Sequence, residues 1–414
     1  MTSLSPEERR LRREAKRRRI RRRRIGALAF VAFASLAFVG GLVASGALSG
    51  RAAAATETIV TQTTETTTAA TTTAATTTAA TTTAATTTRA TTTKAVTPPR
   101  GRLGSGSAVT LAFGGDVHFE GIVRSKLDAS PTSVLAAIAP VFKKADLAMV
   151  NLETTVSYRG APTPGKDYTF RAPPSAFRAL KAGNVDLATV ANNHGIDYGM
   201  TSFLDTLRYA KSYHFPLVGG GRNAAQAYAP YRATIKGQRI AILGASQVID
   251  SNLISSWTAG VGKPGIASAY DAGRLTAAVK AARKKADTVV VYLHFGEERH
   301  PCPSSMQVSI ARSLIAAGAD IVVGSHAHQQ QGGGRLGRAF VDYGLGNFVW
   351  YSQSSSASTT TGVLEVTVTG RRIDGYKWVP ARIMGGSPTP LSGSYRSSAL
   401  AIWRGLRACT NLSR

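Results

Sequence analysis

From residue 108 onward, short apolar runs alternate with longer stretches whose apolar positions recur every three or four residues. The first period reads as strand and the second as helix. The runs AVTLAFGG, LAMV, VDLATVA, DTVVVYL and ADIVVG predict strands ending at Gly114, Val150, Val190, Leu293 and Val323. Helical spacing predicts helices over 133–144, 175–182, 201–213, 268–286 and 305–317. A hairpin is expected over 231–243, turning at Lys236-Gly237. Strands over 339–343, 363–369 and 376–383 close the pattern. Strand–helix alternation early and hairpins late predict an α/β domain, a layered arrangement of mixed sheets with helices outside.

Before residue 108 the pattern is different. Residues 1–24 form a tail with twelve Lys and Arg, and residues 25–50 carry no charge over a length that can cross a bilayer as a helix. The excess of positive charge ahead of this segment predicts a cytoplasmic N-terminus and an exported C-terminal part, hence a single-pass protein of the cell membrane. A cleaved signal peptide is the competing reading, since small residues cluster near Ala52 to Ala55. Residues 51–107 are dominated by TTTAA repeats and then Pro, Gly and Ser. Their scarcity of large apolar side chains predicts a disordered stalk. The domain expected to fold is therefore 108–414.

The formal net charge of +27 is uneven, about a third of it lying in the N-terminal tail. Topology and anionic lipid account for that tail better than a nucleic-acid partner does. The remaining basic excess suits a polyanionic partner, and solvated surface charge explains it equally well. Cys302 and Cys409 stand in no metal-binding or redox spacing. Outside the cytoplasm they would form one disulfide tying the C-terminal tail to the body; two unpaired thiols are the other option.

Five of the seven histidines follow the strand runs, beside carboxylates or asparagines: Asp116-Val117-His118, Asn192-Asn193-His194, His294 and His326-Ala327-His328. Glu153 follows a further run. Carboxyl ends of parallel strands converge on one crevice, so these segments can meet. Asp116 and His118, at i and i+2, can share one side of an extended backbone, as can His326 and His328. Glu153 could bridge two ions, Asn193 could ligate through its amide oxygen, and His194 could protonate a leaving group. Taken singly, each segment has an ordinary structural explanation: a surface turn, a helix cap, a satisfied core histidine. Together they supply the oxygen and imidazole donors of a two-metal hydrolytic site. His214 reads as a helix-end cap, and His300 is left outside.

The segments GGDVHFEG, VNLETTVS, YTFRAPPS, ATVANNHGIDYG, YLHFGEE, AAGADIVVGSHAHQQQ and YGLGNFVW together resemble the CapA family of bacterial poly-γ-glutamate capsule proteins, within the calcineurin-like metallophosphoesterase superfamily. The resemblance implies a metallophosphoesterase-like sandwich and two divalent transition metals, Mn, Zn or Fe. It assigns one ion to Asp116, His118, Glu153 and His328, and the other to Glu153, Asn193, His294 and His326. His194 becomes the proton donor. Glu298 and Asn347 take supporting or substrate-contacting roles. Two departures stand out: most of the superfamily has Asp where this chain has Glu153, and many family members lack the histidine at His118.

The expected function is that of a membrane-anchored, outward-facing hydrolase of phosphoester type. It would serve the synthesis, export or anchoring of an anionic surface polymer resembling poly-γ-glutamate. The alternative is a non-catalytic accessory protein that holds the polymer for subunits of a membrane synthase or exporter.

Overall fold

The computed structural model describes residues 104–414. The expected basic tail, membrane helix and nearly all of the stalk lie outside the described residues. Among the described residues, no helix is long and apolar enough to cross a membrane.

The chain first lays down half of one sheet, with β1 (Val109–Val117), β2 (Leu147–Leu152), β3 (Leu187–Thr189) and β4 (Leu217–Val218), each parallel to the next. It then builds a second sheet from β5 (Tyr231–Ile235), β6 (Gln238–Ser246), β7 (Thr288–Phe295), β8 (Ile321–His326), β9 (Gly333–Leu336) and β10 (Ala339–Asp342). Finally it returns to the first sheet with β11 (Asn347–Val349), β12 (Thr360–Thr369), β13 (Arg372–Met384) and β14 (Ser387–Pro390). The first sheet runs β14-β13-β12-β1-β2-β3-β4, with β11 paired to β1, and the second runs β9-β10-β8-β7-β6-β5. Both are mixed: parallel neighbours form the centre of the second sheet and one half of the first, and antiparallel pairs, among them the β5–β6 and β9–β10 hairpins, supply the rest.

Hydrophobic burial makes the two sheets a sandwich. Phe113, Met149 and Leu364 of the first sheet join Ile242, Val290, Tyr292 and Val323 of the second in one buried cluster. The Tyr292 hydroxyl crosses this layer and donates to the Gly114 carbonyl at 2.9 Å. The outer faces are covered by helices. Leu127 of α1 (Ile122–Ala129), Phe177 of α2 (Ser175–Ala182) and Phe203 of α3 (Gly199–Ser212) lie in the cluster on the first sheet. Leu275 of α4 (Ala272–Arg283) and Leu314 of α5 (Ser305–Ala317) lie in the cluster on the second. A further helix, α6 (Gly393–Gly405), places Trp403 in the layer between the sheets.

Local chemistry explains several of these elements. β7, read as TVVVYLHF, is buried along its whole length because a central parallel strand is covered on both faces. The β5–β6 turn has positive φ at both Lys236 (50°) and Gly237 (77°), the geometry of a two-residue hairpin that matches strand twist. α5 begins in a capping box between Ser304 and Gln307 and ends at Gly318 with φ 117°.

The expected helix over 133–144 is not formed. Pro131–Ser133 make a 3₁₀ turn, and only Ala139–Phe142 is α-helical. Pro140 has no N–H to donate and its ring crowds the preceding turn, so it can begin a helix but not continue one. Among the helices not foreseen, α1 is only eight residues long and α6 is rich in small and polar residues. The expected helix over 268–286 shortens to α4 because the Asp271 side chain accepts from the Arg274 N–H and starts it there. Cys302 and Cys409 are disulfide-bonded, which joins the tail beyond α6 to the loop after β7.

Candidate metal centre

The β1, β2, β7 and β8 ends and the turn after β3 bring their polar residues to one place. Gly115 is required for this: a Cβ there would strike the Gly346 carbonyl, which accepts from the Asp116 N–H at 2.9 Å. That close approach seats Asp116 beside Asn347 in the β1–β11 register. Asp116 Oδ1 accepts from Asn151 Nδ2 at 2.8 Å, and Oδ2 accepts from the His326 N–H at 3.1 Å. Burial pushes the Asp116 carboxyl up, but the hydrogen bond and charge of His328, with hydrogen bonds from Asn151 and Ser325, outweigh it and hold the group below the usual carboxylate range.

Glu153 is fully buried, and among the described residues neither of its carboxylate oxygens has a hydrogen-bond partner. Oε1 lies 3.5 Å from His294 Nε2 and 3.9 Å from His194 Nε2. Burial, and next the negative charges of Asp116, Glu298 and Asp197, push this carboxyl well above its ordinary range. A buried carboxylate with no donor costs several kcal/mol unless a cation compensates it. His294 Nε2 lies 2.7 Å from Asn193 Oδ1, while Nδ1 faces Asn151 Nδ2 at 3.1 Å and Ser325 Oγ at 3.2 Å.

His326 and His328 sit at φ 99° and 54°, a left-handed backbone that costs about 1–3 kcal/mol per non-glycine residue and recurs at functional sites. His326 Nδ1 is buried without a partner among the described residues. His328 Nδ1 donates to Asn347 Oδ1 at 2.9 Å, which leaves Nε2 bare and available to a metal. Asn347 is anchored in turn by donating to the Ser358 carbonyl at 3.0 Å. Burial, then neighbouring imidazoles, lowers His294 well below its ordinary value and His326 to about 3. Both are neutral, the form that ligates.

Three groups bring potential ligand atoms within 4.8 Å of one another: Asp116, Glu153 and His328; Glu153, His294 and His326; and Glu298, His326 and His328. Glu153 is common to the first two. Glu298 is exposed, yet it reaches the same histidines. A mixed carboxylate and neutral imidazole set around an uncompensated buried charge fits a divalent transition metal.

His118 is in none of these groups. It is fully buried, with its ring stacked on Phe170 at 4.6 Å and edge-on to Trp350 at 4.2 Å. Nδ1 faces the Glu120 N–H at 3.3 Å and Nε2 the Tyr351 N–H at 3.2 Å. Packing into an aromatic box separates this ring from the carboxylates that its i, i+2 spacing would have joined it to.

His194 borders the centre without joining a ligand group. Its Nδ1 donates to Asp197 Oδ2 at 2.6 Å, so Nε2, the nitrogen nearer Glu153, is the one free to exchange a proton. Burial lowers this imidazole despite the opposing charge of Asp197. Lys166 holds the other Asp197 oxygen at 2.7 Å and donates to the Asn193 carbonyl. Phe170 lies between the two rings, stacked on His194 at 4.2 Å as well as on His118.

Two supporting residues, Asn151 and Asn192, stand in the strand-end segments but carry no assigned role from sequence. Asn151 braces both Asp116 and His294, and Asn192 Nδ2 donates to Asn151 Oδ1 at 2.9 Å. Asp197 had a local signal, lying one helical turn after His194. Lys166, on a loop with no periodic pattern, had none.

The match to known proteins covers this region. The family described as "Bacterial capsule synthesis protein PGA_cap" matches residues 110–352. The capsule biosynthesis protein CapA of Bacillus anthracis is 28% identical over 296 residues, covering 69% of this chain and 70% of that protein. A probable polyglutamine synthesis accessory protein of Mycobacterium tuberculosis is 29% identical over 189 residues, covering 44% of this chain and 50% of that one. Among solved structures, the sulfate thiohydrolase SoxB of Thermus thermophilus superposes with a TM-score of 0.39 at 14% identity, over 72% of this chain and 60% of that one.

Proposed function

This chain belongs to the bacterial capsule synthesis protein family, and from that premise we propose that its 108–414 domain is a metal-dependent hydrolase of phosphoester-type bonds. It serves the synthesis, export or anchoring of an anionic surface polymer of poly-γ-glutamate type, from an extracytoplasmic position anchored by residues 25–50. The observation that carries the hydrolase reading is Glu153, a buried carboxylate without a donor between two groups of potential ligands.

Two ions (Mn, Zn or Fe) would supply acidity to a water molecule and to the oxygens of a tetrahedral substrate. Asp116, Glu153 and His328 would hold one; Glu153, His294, His326 and Asn193 would hold the other. The protein's own residues do the rest. Asn347 keeps His328 in its tautomer, Asn151 and Ser325 brace the His294 ring at Nδ1, and Asn192 steadies Asn151. Asp197 orients His194 so that its bare Nε2 faces the centre, where it would take the proton released by the attacking water and pass it to the departing alkoxide as the new P–O bond forms and the P–O ester bond breaks. Lys166 locks Asp197 in place and, through the Asn193 carbonyl, the turn that carries Asn193 and His194.

The test is metal analysis of the purified chain, followed by hydrolysis of a generic phosphodiester. We expect one to two transition-metal ions per chain, and a loss of about 10²–10⁴-fold in rate for His194→Ala with metal content unchanged. A chain that takes up no metal and hydrolyses no phosphodiester would leave the non-catalytic accessory role as the better reading.

A further inference from the structure

A second feature lies away from the metal centre, where α6 packs against β13. A cavity of about 470 Å³ opens there. Arg396 and Arg404 line it from α6, Lys377 from β13, and Arg407 and Arg414 from the segment beyond the helix. None of the metal-centre residues contributes to it. Lys377 is committed to Glu365 at 2.9 Å, and Arg407 donates to the Gly333 carbonyl at 3.0 Å. The side chains of Arg396, Arg404 and Arg414 have no hydrogen bond or ion pair among the described residues. Arg396 and Arg404 thus bring two guanidinium groups without a side-chain partner to one concavity, an arrangement that an anion stabilises.

The spacing narrows the class of anion. Arg396 and Arg404 are eight residues apart on a helix, so their origins are about 12 Å apart along its axis. Between them the wall is apolar: Leu400 and the ring of Tyr376 line the cavity. Cations set apart, with apolar surface in between, match a chain whose charges are separated by methylene segments. A densely charged phosphate chain would leave the apolar wall facing water. Guanidinium groups bind carboxylates through two parallel hydrogen bonds, which makes arginine the fitting cation for such a chain.

We propose that the α6–β13 groove is a binding site for a polycarboxylate chain, separate from the metal centre. It holds the polymer on the domain while the metal centre acts elsewhere. Poly-γ-glutamate is the probe because the function proposed above is built on a polymer of that type. The groove itself does not depend on hydrolysis.

The test measures binding of fluorescently labelled poly-γ-glutamate to the full-length chain in detergent at fixed ionic strength. Arg396→Gln/Arg404→Gln is expected to raise Kd at least about tenfold, with metal content and phosphodiester hydrolysis unchanged. A control pair on other exposed surfaces, Arg178→Gln/Arg232→Gln, is expected to change it less than about twofold. Arg396→Lys/Arg404→Lys keeps the charge but loses the planar fork, and should weaken binding about threefold. Equal losses in the groove pair and the control pair would show diffuse electrostatics and overturn the site. So would tighter binding of a polyphosphate of matched charge that displaces the polyglutamate. Groove-dependent binding by a chain that hydrolyses nothing supports the groove while removing the hydrolase reading. Hydrolysis without any binding does the reverse.

Discussion

Glu153 concentrates the energetic problem of this molecule in one side chain. Its carboxylate is buried beside Asp116, with Asp197 and Glu298 adding to the negative field. Without a cation, the charged form opposes folding; with one, it becomes the ligand shared between two groups. Glu153→Gln removes the charge at nearly constant volume. The metal-free variant is expected to be more stable than the metal-free parent at neutral pH by about 1–3 kcal/mol, the scale of an unsatisfied buried polar group. Added Mn²⁺ or Zn²⁺ should then raise the parent's melting temperature and leave the variant's unchanged. A variant that melts below its metal-free parent would show that the carboxylate is compensated in some other way. His118 teaches the complementary lesson: residue type and spacing nominated it as a ligand, and its neighbours Phe170, Trp350 and Tyr351 claimed it for packing.

At the scale of elements, β9 and β10 pair beside a buried acid. Asp342 ends β10, accepts from the Gly344 N–H at 3.1 Å through Oδ1, and leaves Oδ2 unpartnered among the described residues beside Gly333 of β9. Burial pushes its carboxyl up to about 7 from an ordinary 3.8. The sign follows from proton linkage. Between those values the folded state binds the proton and the unfolded state does not, so stability falls as pH rises through that window and levels off above it. Asp342→Asn removes the titration while an amide oxygen can still accept from Gly344. Its melting temperature should match the parent's near pH 4 and exceed it at pH 8, the gap corresponding to up to about 4 kcal/mol. Parallel melting curves for parent and variant across pH 4–8 would refute the buried titration. Elements were legible where apolar residues were dense, as in β7 and α5, and illegible where one residue decided the outcome. Pro140 cut a helix that the apolar spacing alone extended, and α6 is held by a tryptophan inserted between the sheets rather than by a regular apolar stripe.

For the whole molecule, the decisive fact is that the ligand groups straddle the sandwich. Asp116 and Glu153 come from the first sheet, while His294, His326 and His328 come from the second. A bound ion therefore ties the two sheets together, and its binding energy adds to the stability of the entire domain rather than to one loop. At free metal one hundred times Kd the gain is about 2.7 kcal/mol per site. Chelation should accordingly lower the main, cooperative unfolding transition. If it altered only a local probe near the loops, the ions would be held by one sheet alone.

The sequence by itself determined the longer strands, though not the short ones at Leu217–Val218, Gly333–Leu336, Asn347–Val349 and Ser387–Pro390, because β-branched runs and turn residues are local properties, and it determined which donors stand at their ends. It also showed the polar and apolar character of Glu298, Asn347 and the two cysteines without saying what each touches. Tertiary structure decided the rest. Asp116 receives the N–H of His326, 210 residues away, and no local period encodes such a distance. Packing selected which nitrogen of each histidine is free, withdrew His118 into an aromatic box, recruited Asn151, Asp197 and Lys166 as supports, and opened the arginine groove beside α6. The reason is physical: backbone preference acts over a few residues, whereas coordination depends on side-chain positions that only the closed sandwich brings within bonding range.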